Sequence, residues 1–245
     1  MVCVNVLFLS MMGLFYLTPL TPLQKTIDNR KARSDATKNA LMRATEKLVA
    51  ERGVENISIK EIVAEAGQKN ESALQYHFQN LTGLLRAIHD ERSEQVHQKR
   101  AELLADVLKN SNPLKLRDIC LLMVRPTFEL ARSNVEFRRY VKAFGHELAL
   151  SEPSPLKMAV RSGGGGESGA QMGELLKAAL PHLNEEAYHR RLEAAVMLCS
   201  ASMYHQARQK SAFRGRQSEL FLHNLVDALC GLLGAEVSQE TKNLS

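Results

Sequence analysis

The sequence has no tryptophan, only 5 tyrosines in 245 residues, and no stretch in which apolar and polar residues alternate with period two. The missing alternation excludes half-buried strands and leaves an all-α chain. Cysteine is sparse too. Cys3, Cys120, Cys199 and Cys230 lie far apart and make no CxxC pair. That pattern excludes a disulfide framework or a zinc site, and buried thiols in a reducing cytoplasm are the plain reading. Charge is absent from the first 24 residues, where MVCVNVLFLSMMGLFYL is strongly apolar. The run is interrupted by Asn5, Ser10 and Gly13 and followed by Pro19 and Pro22. It is short against the roughly 20 residues of a spanning helix. It also lacks the basic start and small-x-small site of a secretory signal. It reads as a disordered extension, or a stretch missing from the native protein, with a membrane anchor as the alternative.

What remains is an ordinary globular composition. Hydrophobic residues make up 44% and charged residues 24%, enough to bury a large core without disorder. The formal net charge of +5 permits an acidic partner such as DNA without requiring one. Between Lys25 and Lys38 five basic residues (Lys25, Arg30, Lys31, Arg33, Lys38) face two acidic ones, Asp28 and Asp35. Residues 1–33 are therefore an apolar, then basic, extension.

The folded part opens with SDATKNALMRATEKLVAERG. Here Ala40, Leu41, Ala44, Leu48 and Val49 share one helical face, and Gly53 ends the helix. In ISIKEIVAEAG, Ser58 and Glu61 form a capping-box pattern, and Ile59, Ile62, Val63 and Ala66 make an apolar face that stops at Gly67. QKN is a polar turn of about three residues, and ESALQYHF opens a third helix with Asn70 as its cap. Three short helices within about 45 residues form a small bundle of the helix-turn-helix kind. From Leu81 a long helix runs through ELLADVLKN, with helices over 114–132 and 134–150 and a kink at Pro126. A flexible glycine-rich interruption, RSGGGGESG, precedes two strong helices near 186–210 and 218–233. These divisions give a helix-turn-helix domain at 34–83, a larger helical domain at 84–237 and a disordered tail at 238–245.

The third helix carries chemistry its own core does not need. Ala73, Leu74 and Phe78 are the small and apolar residues that seat it. Asn70, Glu71, Ser72, Gln75 and Tyr76 offer donors and acceptors to base edges, and Gln75 suits a bidentate pairing with adenine. Ser58 and Lys60 place a hydroxyl, backbone amides and a positive charge where a second helix meets a phosphate, and His77 is a further phosphate contact.

ALMRATEKLVAERGVENISIKEIVAEAG, followed by Ala73-Leu74-Gln75-Tyr76-His77-Phe78, resembles the TetR family of transcriptional regulators from Ala36 to about Leu85. The stretch from Gly67 to Phe78 is one residue longer than the common form, and Gln75 stands where the family usually has tyrosine. Both features resemble a branch with the pattern AGQ-x-N-x-SALQYHF. Leu81 falls where many members carry a phosphate-binding lysine. The final helix pair is similar, more loosely, to the family's dimerisation helices. The resemblance implies a larger ligand-sensing and dimerisation domain, a homodimer, a palindromic duplex operator and an unidentified small-molecule effector. It implies no cofactor and no enzyme activity.

The remaining candidates are weaker. A literal GxGxxG at Gly164, Gly166 and Gly169 lacks a strand before it and reads as a loop. Glu185 and His189 share a helix face, and His205 follows Tyr204, but no third ligand completes a metal site. Arg125, beside Pro126 in an apolar stretch, is the charge expected to turn inward towards an anionic ligand, with Phe128, Phe144 and Met203 lining the same pocket. The reading is a homodimeric, ligand-responsive, DNA-binding repressor of the cytoplasm. Its rivals are a membrane-tethered regulator and a helical small-molecule-binding protein without DNA binding.

Overall fold

The computed structural model describes residues 22–110, 114–150 and 165–244, so the apolar stretch before Pro22 lies outside the described residues. Among the described residues the fold is ten α-helices and one 3-10 turn, with no strand. Helix α1 spans Pro22–Arg52, α2 Ile59–Glu65, α3 Ser72–Phe78 and α4 Leu81–Asn110. Then follow α5 (Leu116–Ser133), α6 (Val135–Leu150), α7 (Gly166–Ala179), α8 (Glu185–Ala207), α9 (Gly215–Gly234) and the short α10 (Gln239–Lys242). No helix is long and apolar enough to cross a membrane among the described residues.

Two layers share one continuous core. In the head, Leu41, Leu48 and Val49 of α1 meet Ile62 and Val63 of α2, Leu74 and Phe78 of α3, and Leu84 and Ile88 of α4. The body is built around α5 and α6. Helix α6 lies along α8 and against α1, while α5 packs on α4 and α9. Phe128, Phe137 and Phe144 are fully buried there. Helix α4 belongs to both layers, because its first turns close the head and its remainder packs on α5 and α7.

Several boundaries differ from the sequence reading. The basic arm, expected to lie outside the fold, is the start of α1, continuous through Lys38. Residues 166–169, expected as loop, open α7 behind the left-handed cap Gly165. The 238–245 tail, expected to be disordered, contains α10, capped by Ser238. Glycine is a poor helix former, so composition alone marks such a stretch as loop. Pro126 sits inside α5, buried. Cys120, Cys199 and Cys230 are free thiols, and burial pushes Cys199 up to about 12.

Candidate nucleic-acid interface

Each end of the turn before α3 is tied by its own local device. Gly67 adopts φ 67. The Gln68 amide donates to the Val63 carbonyl at 2.9 Å and the Gly67 amide to Ala64 at 3.0 Å, the paired bonds of a Schellman stop. Across the turn, the Asn70 carboxamide oxygen accepts from the Ser72 amide at 3.2 Å and from the Ser72 hydroxyl. Asn70 thus braces the start of α3 from one residue before the helical cap Glu71. These devices occupy Ala66 to Glu71, so the connection is longer than the expected three residues.

At the start of α2 the capping box is complete. The Ser58 amide donates to Glu61 Oε2 at 2.9 Å, and the Glu61 amide donates to Ser58 Oγ at 3.3 Å. The Ser58 hydroxyl also donates to Glu61 Oε2 at 2.7 Å, and Arg52 Nη1 donates to Glu61 Oε1 at 2.7 Å. The Ser58 bonds, then Arg52, hold the Glu61 carboxyl down to about 2. The Ser58 hydroxyl is therefore committed to the cap.

The outer side of α3 is open. Leu74 and Phe78 are buried at 1% and 6% exposure, whereas Tyr76 is 82% exposed and meets the His77 ring edge to face, 4.9 Å between centroids. Gln75, Glu71 and Ser72 are exposed beside it, and His77 is half-buried. Lys60 on α2 and Lys69 in the turn are exposed, and neither has an ion-pair partner among the described residues, unlike Lys47 and Arg52, which pair with Glu65 and Glu61. Lys69 has as its sequence signal a cation in the polar turn itself. At the far end, Gln79 takes φ 68 and the Asn80 side chain accepts from the Gly83 amide at 2.9 Å, starting α4. Gly83 is obligatory there. Any Cβ would collide with the Phe78 carbonyl.

Residues 41–88 match the family model described as bacterial regulatory proteins, tetR family. The match spans α2, α3 and the parts of α1 and α4 that close the head, so the chain carries a tetR-type helix-turn-helix domain. Solved structures align beyond the head as well. A protein from Rhodococcus sp. described as a TetR-family transcriptional regulator superposes with a TM-score of 0.52 at 14% identity, covering 79% of this chain and 98% of that one. RolR in complex with resorcinol aligns at a TM-score of 0.44 and 16% identity over 88% and 95% of the two chains. GusR of Salmonella enterica aligns at 0.44 and 18% over 81% and 96%. No curated protein matches the sequence.

Behind the tetR-type head, the body encloses a cavity of about 370 Å³ bounded by α4, α5, α6, α7 and α8. Of the four residues expected to line a pocket, only Met203 is on its wall. Arg125 faces outward, its Nε 2.6 Å from Glu129 Oε1. Phe128 packs against Phe213 and Phe221 under the Arg132 guanidinium, and Phe144 against His89 and Tyr140. Among the described residues the arginines on the wall are Arg92 and Arg100, both from α4. Among the described residues no group of His, Cys, Asp and Glu could hold a metal ion.

Proposed function

We propose that this chain is a sequence-specific, duplex-DNA-binding transcriptional regulator. It acts as a homodimeric, cytoplasmic repressor of the tetR type whose grip on a palindromic operator answers to a small molecule held in the body. The observation that carries this reading is the exposed face of α3. A helix of seven residues needs Leu74 and Phe78 to stay seated, yet it leaves Tyr76 82% exposed beside Gln75, Ser72 and Glu71. Exposing a large aromatic ring forgoes burial worth roughly 1.5–3 kcal/mol, so the ring serves a partner better than it serves the fold.

The roles follow from position. Gln75 and Tyr76 read base edges in each half-site, and Lys60, Lys69 and His77 meet phosphates. Beyond their mutual brace, Asn70 joins the base readers through its carboxamide nitrogen and Ser72 through the lone pairs of its hydroxyl. Ser58 contributes through its capped helix start, because its hydroxyl belongs to Glu61. Arg30, Lys31 and Arg33, exposed on the first turns of α1, add backbone or minor-groove attraction. The AGQ-x-N-x-SALQYHF pattern and Gln75 set the base preference apart from relatives with tyrosine at that place.

Dimerisation falls to α8 and α9, which pack on one another. Their outer faces show Ala194, Met197 and Ala201 on one helix and Leu220, Ala228 and Gly231 on the other, all exposed. Small residues beside exposed Met197 and Leu220 suit close helix packing by a second copy.

The test is binding of the full chain to labelled random-sequence duplex across a salt series. The reading requires measurable binding near 50 mM salt that falls linearly in log–log form as salt rises. No binding at low salt would leave a helical ligand-binding protein.

A further inference from the structure

The wall of the body cavity is chemically lopsided. Among the described residues it includes Arg92, Arg100 and His97, but no aspartate or glutamate. Arg92 is already satisfied, because Glu46 takes its Nε and Nη2. Arg100 is not. Its Nη1 donates to the Gly165 carbonyl at 3.2 Å, its Nε is buried without any acceptor, and no carboxylate pairs with it among the described residues. Burial pushes this guanidinium below its ordinary value. An arginine keeps its charge all the same, so the fold carries a half-buried cation with an orphaned Nε donor at a cost.

The start of α7 lies against the same spot. Gly165 caps that helix without any side-chain cap, and both Gly165 and Gly169 face the cavity. Backbone N–H groups of the first turn, without an acceptor among the described residues, add positive potential beside Arg100. Most of the remaining wall is apolar, with Val96, Met123, Leu176 and Leu192 representative. One unpaired cation in an apolar enclosure calls for one negative charge. A phosphate dianion would bury a second charge with no counter-ion.

We propose that the cavity binds a monocarboxylic acid as its carboxylate, the acid seated on the Nε–Nη2 edge of Arg100 near the start of α7 and the apolar remainder among the Val, Met and Leu side chains. This rests on the reading of the cavity as the effector site and names the chemical class of the effector. The side-on edge of an arginine matches two carboxylate oxygens, a geometry a neutral amide cannot reproduce.

The experiment is calorimetric titration of the full chain with 1-naphthoate, 4-phenylbutyrate and decanoate, each beside its neutral carboxamide. At least one acid should bind roughly ten- to a hundredfold tighter than its amide, and Arg100→Met should abolish that preference. Without ligand, Arg100→Met should melt close to the wild type, because it trades the Nη1 bond to the Gly165 carbonyl for relief of a half-buried cation whose Nε has no partner, and this control shows that the variant folds. Amides binding as tightly as acids, no acid binding at all, or a preference that survives in Arg100→Met would each overturn the proposal. Duplex affinity measured on the same preparations without acid reads the DNA-binding function separately. A chain that binds duplex but discriminates no acid keeps that function and loses this effector class.

Discussion

Arg92 of α4 and Glu46 of α1 meet in a two-pronged ion pair, Nε to Oε1 at 2.8 Å and Nη2 to Oε2 at 2.9 Å, with side-chain exposures of 1% and 0%. Arg43 joins them, donating to Glu46 at 2.8 Å and to Glu91 at 2.5 Å. Burial pushes the Glu46 carboxyl up while Arg43 pulls it down. Arg92 also forms part of the cavity wall. The pair therefore connects the cavity directly to the first helix of the head.

Removing Arg92 leaves the buried Glu46 carboxylate with Arg43 as its remaining cation. Arg92→Met should cost about 1–3 kcal/mol in chemical denaturation, less than a wholly unpaired buried charge. The double variant Arg92→Met with Glu46→Met should recover a large part of that loss, since both charges then leave together. Strictly additive losses would show that the two side chains are not coupled.

Two glycines around α3 should behave unlike each other. Gly83→Ala drives a Cβ into the Phe78 carbonyl, so α3 must shift; a loss of about 1–3 kcal/mol is expected, with weakened duplex binding. Gly67→Ala meets nothing within 4 Å and bears only the left-handed backbone penalty, about 1 kcal/mol. Thermal melts of the two variants check the order.

Tyr76→Ala separates a reading role from a packing role. Because the ring is 82% exposed, stability should stay within about 0.5 kcal/mol of the wild type. Duplex affinity should nevertheless fall. A drop in melting temperature with unchanged DNA binding would assign the ring to the core.

His89 gives the fold a measurable acid sensitivity. Its Nδ1 lies 3.1 Å from the Tyr140 hydroxyl between α4 and α6, and burial holds the imidazole below its ordinary 6.5 against the pull of Asp90. The unfolded chain therefore takes up this proton first. Stability from the site is complete above about pH 6.5 and is lost as pH falls towards the lowered folded value. His89→Gln lacks the titration, so wild type and variant should converge in melting temperature as pH drops from 7 to about 5.

How much of this was legible in the sequence depends on how local each cause is. The Ser58–Glu61 box, the stops at Gly53 and Gly67, and the seating of Leu74 and Phe78 arise within a few residues, and all stand as read. The turn before α3 is longer than its polar residues suggest, because the paired Schellman bonds and the Asn70 brace each use residues of their own. The cavity was the least legible part. An arginine on its wall was expected at Arg125, which sits among apolar neighbours in sequence yet points to Glu129 and solvent. Arg100, in the polar run HQKRAE, faces inward only because α7 folds over it. Five helices make that wall, and no local pattern announces it.

The most direct test of the central claim is selection of bound sequences from random duplex DNA, run in parallel with the wild type and Gln75→Ala. The account predicts a palindromic motif for the wild type. It also predicts relaxed preference at one base pair in each half-site for the variant, where the loss should be roughly 1–3 kcal/mol. No enrichment by the wild type, or an identical motif from both proteins, would contradict it.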